Sequence, residues 1–182
     1  QIFYSTLSTL TISTLTFTIA MVIDGVIIGQ FLGTNAIAAY GLALPMFIAT
    51  NAVFGIFATG AQSLCGNCMG RGDMKSANGF FNATMIVMVA LSIIITAGMI
   101  FFAEPLAILL GANTSTPEMT DIMQNTKGYI IGLGVGVFFQ FGARILSPFM
   151  QLDNDRGKVA PAAICGSAVN ITGDLLNAFV LN

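Results

Sequence analysis

The 182-residue chain has no histidine and no tryptophan, and only 8% of its residues are charged. Without histidine, the usual zinc and copper ligand sets are excluded, as are the Ser-His-Asp and Cys-His arrangements of nucleophilic catalysis. Six Lys plus Arg against eight Asp plus Glu leave a formal charge of −2. Nucleic-acid binding draws on clustered basic residues, so that class is excluded too. Soluble domains carry about 25% charged residues, and the scarcity here argues against a soluble fold. What is abundant is apolar: 55% of the residues are hydrophobic, and the mean hydropathy is +0.87.

A bilayer-spanning helix needs about 20 mostly apolar residues. Divided at their turn residues, the charge-poor stretches give five spans, approximately 5–33, 44–70, 77–103, 127–150 and 159–182. The breaks fall at Gly33-Thr34-Asn35 with Pro45, at Gly70-Arg71-Gly72-Asp73, between Pro105 and Pro117, and at Asp153-Asn154-Asp155-Arg156-Gly157. Membrane strands would alternate in polarity over about 10 residues; these runs are longer and do not alternate. The expected fold is therefore an all-α membrane protein. The first 33 residues lack the basic n-region and short h-region of a signal peptide and read as a resident helix. The chain opens at Gln1 and closes inside the apolar run 175–181, as a portion of a longer protein would.

Arg71 and Lys75 lie in the second break and Arg156 and Lys158 in the fourth, whereas the first break and the 104–126 connection have no Lys or Arg. The positive-inside rule then makes the basic breaks cytoplasmic and the N-terminus cytoplasmic. Arg144, near the inner end of the fourth span, is placed to snorkel to the headgroups.

Two acids remain inside spans, Asp24 and Asp174. A central Asp costs about 2.5–3.5 kcal/mol on insertion scales, and such residues mark pathways or sites. At 1.5 Å per residue, Asp24 lies ~13 Å from the Gly33 end of its helix and Asp174 ~22 Å from the Val159 end, which places both in the outer half of the bilayer. Ala162, Gly166, Asn170 and Asp174 recur every four residues on one face. Thr6, Thr9, Ser13, Thr16, Ala20 and Asp24 alternate by three and four on another. Hard cations such as sodium favour these oxygen donors. A proton is the alternative, because burial favours a neutral carboxyl, and an interhelical hydrogen bond from a protonated Asp is the purely structural one.

Gly25, Gly29 and Gly33, with Gly66/Gly70 and Gly132/Gly136, have the four-residue spacing that permits close helix approach, for packing or for sliding. Cys65-Gly66-Asn67-Cys68 has the form of a redox motif but lacks a βαβ context; inert thiols are expected, and Cys165 leaves the count odd. Arg71-Gly72-Asp73 and the sequon at Asn113 carry no assigned role.

The chain resembles the multidrug and toxic compound extrusion (MATE) transporters over nearly its whole length. The resemblance rests on Ile23-Asp24-Gly25-Val26-Ile27-Ile28-Gly29-Gln30-Phe31-Leu32-Gly33, on Ala36-Ile37-Ala38-Ala39-Tyr40-Gly41-Leu42-Ala43-Leu44-Pro45, and on Thr59-Gly60-Ala61-Gln62-Ser63. Gly70-Arg71-Gly72-Asp73, Phe149-Met150-Gln151 and Asn170-x-x-x-Asp174 follow in order. It implies a twelve-helix antiporter of two six-helix lobes, of which residues 1–182 are helices 1 to 5 of the N-terminal lobe, with helix 6 and the C-terminal lobe absent. It also implies that Asp24, Asn170 and Asp174 bind the coupling sodium or proton, with no other metal and no cofactor. Gly173 departs from the leucine that relatives often carry before the acid.

The expected function is export of drugs or cationic metabolites across the plasma membrane by alternating access. Asn51, Gln62 and Gln140, polar and well inside spans, are candidates for the substrate cavity. The remaining helices of the full-length chain and the lipid bilayer are the expected partners, and nucleic acid is not. A lipid-linked oligosaccharide flippase of the same superfamily is the alternative transporter, although it calls for basic residues in the cavity. An intramembrane aspartyl protease would pair Asp24 with Asp174, but Ile171-Thr172-Gly173-Asp174 lacks the first glycine of the Gly-x-Gly-Asp signature. No enzymatic activity is expected.

Overall fold

The computed structural model describes residues 2–152, together with 161, 164–166, 168 and 172. Every regular element among the described residues is helical: α1 (Ile2–Ile27), a π-helical turn (Ile28–Leu32), α2 (Thr34–Gly70), α3 (Met74–Phe101), the short α4 (Ala103–Leu109) and α5 (Pro117–Leu152). Among the described residues, three helical stretches are long and apolar enough to cross a membrane: Leu10–Leu32, Thr34–Gly70 and Met74–Phe101. The chain is a multi-pass membrane protein. The expected fifth span, 159–182, falls almost wholly outside the described residues, as does the break at 153–157.

Turn chemistry explains the ends of α2, α3 and α4. At the close of α2 the Gly72 N–H donates to Met69 O at 3.0 Å and the Asp73 N–H to Cys68 O at 2.9 Å. Gly72 takes φ +76°, the left-handed conformation that glycine adopts without a Cβ penalty. Asp73 then caps α3, its Oδ1 accepting from the Ser76 N–H at 3.0 Å. The Ser76 hydroxyl and, after it, the Ser76 N–H hold the Asp73 carboxyl below its ordinary range by hydrogen bonding. Arg71-Gly72-Asp73 is thus a reversal device, one residue closing a helix and the next opening another. The end of α4 repeats the pattern, with Gly111 at φ +103°, its N–H on Ile108 O, and the Ala112 N–H on Ala107 O.

Two expected boundaries are corrected. Residues 34–43, read as a loop, form the first turns of α2, which passes through Pro45 without ending. Alanines at 36, 38, 39 and 43 favour helix, and the one bond that Pro45 removes is that to the Gly41 carbonyl. At 1.5 Å per residue, α2 is roughly 55 Å long against a hydrocarbon core of about 30 Å, so it tilts or protrudes. The 104–126 connection, read as an outer loop, contains α4 and the start of α5. Pro117 opens α5, where its missing N–H is no loss, and Thr116 Oγ1 accepts from the Met119 N–H at 3.2 Å.

The buried cluster joins Phe54 of α2, Met88 and Met99 of α3, Ala103 and Ala107 of α4, and Met123, Ile130 and Val137 of α5. Helices α3 and α5 approach closely at Gly134, where an added Cβ would lie 3.0 Å from Met99 Cβ. The Thr96 hydroxyl donates to the Gly134 carbonyl at 2.7 Å across the same contact. Gly132 and Gly136, singled out by their spacing, have no described atom within 4 Å of such a Cβ. Gly29 does pack, against Ile37 at 3.0 Å, while Gly33, at φ +83°, turns the chain from the π-helical turn into α2.

Candidate functional site

Helix α1 has one covered stripe. Ser13, Thr16 and Asp24 are partly buried and Ala20 is buried, whereas Leu15, Ile19, Val22 and Val26 on the other faces are exposed. This is the face on which small and polar residues alternate by three and four. The Ser13 hydroxyl and Asp24 Oδ1 are withdrawn from solvent, and the Thr16 hydroxyl donates back to Ile12 O at 2.8 Å. Just beyond Asp24, the helix changes from α to the π-helical turn at Ile28–Leu32. Such insertions are rare and recur at functional sites.

Two aromatic contacts bring this part of α1 to α2. Phe17 stacks on Phe47 with ring centroids 6.1 Å apart, and a Cβ on Gly25 would meet Tyr40 at 3.9 Å. Tyr40 in turn packs edge-on against Tyr129 of α5, at 6.0 Å. Phe47 and Tyr129 both line a groove of about 500 Å³ between α2 and α5, with Gln124, Asn125, Leu133, Val137 and Gln140. Gly128, Gly132 and Gly136 form its floor. Along α5, Gln124, Gly128, Gly132, Gly136 and Gln140 recur every four residues, so each neighbouring pair shares a face. The open glycines thus make room for a groove in place of a helix contact. Among the described residues, its lining has amides, a phenol and apolar surface, with no Asp, Glu, Lys or Arg.

The residues named from sequence are distributed as follows. Asp24 lies on the covered stripe of α1. Gln140 lines the groove. Asn51, one turn along α2 from Phe47, is partly buried and donates its Nδ2 to Phe47 O at 2.8 Å. Gln62 is partly buried on the same helix, about 16 Å further along at helical rise; it has an interaction partner of its own. Asn170 and Asp174 lie outside the described residues. Gln124, Asn125, Tyr40 and Tyr129 were not singled out. The four-residue series from Gln140 back to Gln124 was the available signal, and a span begun at residue 127 cut it short. Among the described residues, no group of three or more His, Cys, Asp or Glu is placed to hold a metal ion.

The fold matches that of a MOP superfamily transporter from Pyrococcus furiosus, with a TM-score of 0.87 and 22% sequence identity. The match covers all of this chain and 38% of that protein, so the chain spans well under half the length of the structure it resembles. That protein is described as having a binding pocket of reversed polarity that points to a different function. No curated protein sequence matches the chain. The MatE family profile matches residues 10–176. With that match over nearly its full length, on helices of bilayer length, the chain belongs to the MatE family.

Proposed function

We propose that this chain is the cation-coupling part of a secondary transporter that exports cationic amphiphilic drugs or metabolites in exchange for sodium or protons. The observation that carries the reading is Asp24. A carboxyl group stands on the one covered stripe of an otherwise exposed, apolar, bilayer-length helix, with Oδ1 withdrawn from solvent. Intramembrane acids mark ion and substrate pathways. Asn170 and Asp174 complete the cation site by resemblance. Cation binding biases an equilibrium between inward-open and outward-open forms, and α1 is suited to respond because it holds the least embedded of the three candidate spans among the described residues.

The groove between α2 and α5 supplies the substrate surface of this lobe, with Gln140 and Tyr129 as hydrogen-bonding groups and Phe47 as an apolar wall. Among the described residues it has no Lys or Arg, which favours a drug over the pyrophosphate of a lipid-linked sugar. The protein resides in the plasma membrane with its N-terminus in the cytoplasm, as the basic residues Arg71 and Lys75 indicate.

The test is ethidium efflux by the full-length protein under separate sodium and proton gradients, with Asp24→Asn and Asp174→Asn beside wild type. Gradient-driven efflux that collapses in both variants is expected, and the gradient that sustains wild-type efflux identifies the ion. Efflux that survives both substitutions removes these acids from coupling.

A further inference from the structure

A second groove, of about 620 Å³, opens where α3 turns into α4 and meets α5. It is lined by Ile100, Phe101, Pro105 and Ile108 and by an opposed pair of charges, Glu104 and Lys127. The Lys127 Nζ donates to Glu104 Oε2 at 2.9 Å, and the two side chains are 42% and 60% exposed, respectively. One N–O contact uses one of the three donors of an ammonium and one of the two oxygens of a carboxylate. Both charges therefore retain unused hydrogen-bonding capacity beside the groove.

The depth of this pair follows from the helices. Glu104 stands just past Phe101, where the apolar helix α3 ends, and Lys127 is held level with it on the adjacent α5. Since α3 is of bilayer length, the pair sits at a membrane interface, opposite the one that holds Arg71 and Lys75. Around it apolar side chains are exposed among the described residues: Phe101 is 82% exposed and Leu109 is 80% exposed. An apolar wall carrying one cation and one anion at headgroup level is complementary to a molecule with an acyl chain, a phosphate and an ammonium.

We propose that this groove is a binding site for a zwitterionic phospholipid of the surrounding leaflet with a primary amine head group. Its phosphate accepts from Lys127, its ammonium donates to Glu104, and an acyl chain lies along Ile100 and Phe101. The lipid completes a ring of four alternating charges, and the primary amine matters because a choline head group has no N–H to donate to the carboxylate. An anionic lipid would satisfy Lys127 but face the Glu104 carboxylate without a compensating cation.

The experiment is native mass spectrometry of the full-length protein equilibrated in turn with phosphatidylethanolamine, phosphatidylcholine and phosphatidylglycerol. Wild type is expected to retain phosphatidylethanolamine roughly threefold better than either other lipid, the scale of one partly exposed charged contact. Glu104→Gln is expected to abolish the preference over phosphatidylglycerol, and Lys127→Gln to lower retention of all lipids with a phosphate. The wild-type ranking reads the site even where a variant fails to fold. Equal retention of the three lipids, or a preference for phosphatidylglycerol, overturns the proposal, as does an unchanged ranking in a folded Glu104→Gln protein.

Discussion

Replacing Gly134 with alanine puts a methyl group into a close contact between α3 and α5. The new Cβ would lie 3.0 Å from Met99 Cβ and 3.5 Å from the Thr96 carbonyl oxygen, whereas carbon atoms settle about 3.5–4.0 Å apart. Met99 meets the intruder with its Cβ, which cannot swing away as a side-chain tip would. The helices must therefore part by about half an ångström. Overpacking of this kind costs about 1–3 kcal/mol, and the parting also stretches the 2.7 Å bond from Thr96 to the Gly134 carbonyl. Against this, alanine improves helix propensity by about 0.8–1 kcal/mol. The expected net effect is a destabilisation of up to about 2 kcal/mol. Gly132→Ala is the matched control, since no described atom lies within 4 Å of its added Cβ; only the propensity gain acts there, and it stabilises. Two substitutions on one helix, two residues apart, should thus shift thermal denaturation of the detergent-solubilised protein in opposite directions. A Gly134→Ala protein that melts at or above wild type refutes the assignment of this contact.

Thr96→Val removes the interhelical donor at the same place, and a loss of about 0.6 kcal/mol is expected, the average for such bonds inside membranes. Combined with Gly134→Ala it should cost less than the two changes separately, because both act on one contact; strict additivity in the melting data would argue against that. The capping carboxylate of Asp73 has its pKa lowered from 3.8 by the Ser76 hydrogen bond. Its contribution to α3 is therefore fully present above pH 3.8 and disappears as the pH falls through the lowered value. Hydrogen exchange at the Ser76 amide should stay protected from neutral pH down to about 4 and lose protection only below that, and Asp73→Asn should flatten the profile. Cys65 is buried, its thiol donating to Ala77 O at 3.3 Å, while Cys68 is partly exposed. In a Cys165→Ser background, an impermeant maleimide should label Cys68 from the face that holds Arg71 and leave Cys65 unlabelled. Labelling from the opposite face would invert the topology.

The sequence made some of this legible and hid the rest for identifiable reasons. The third span, expected at 77–103, coincides closely with α3 at Met74–Phe101, because Gly72 and Asp73 are turn residues of a kind that marks both sides of a reversal. The polar stripe of α1 was readable because periodicity alone fixes which residues share a helix face. Pro45 misled, since proline reads as a boundary in water, whereas a long apolar helix continues through it when only one backbone bond is forfeited. The glycines of α5 misled differently. Four-residue spacing identified Gly132 and Gly136, yet the helix contact is at Gly134. Spacing says which glycines share a face, but the rotation of α5 about its axis decides which face meets α3. The groove needed still more, because its walls come from α2 and α5 and no local pattern records which helices become neighbours.

The buried cluster also has a consequence for the order in which the protein is made. Phe54 is almost completely enclosed, yet the residues packed with it include Ile130 and Val137 of α5. During synthesis α1, α2 and α3 leave the ribosome before α5 exists, so Phe54, Met88 and Met99 enter the membrane with lipid as their only neighbours on that side. The arrival of α5 is the step that closes this side of the cluster. Truncation of the nascent chain before residue 130 should therefore leave Phe54, Met88 and Met99 facing lipid on the side that α5 covers.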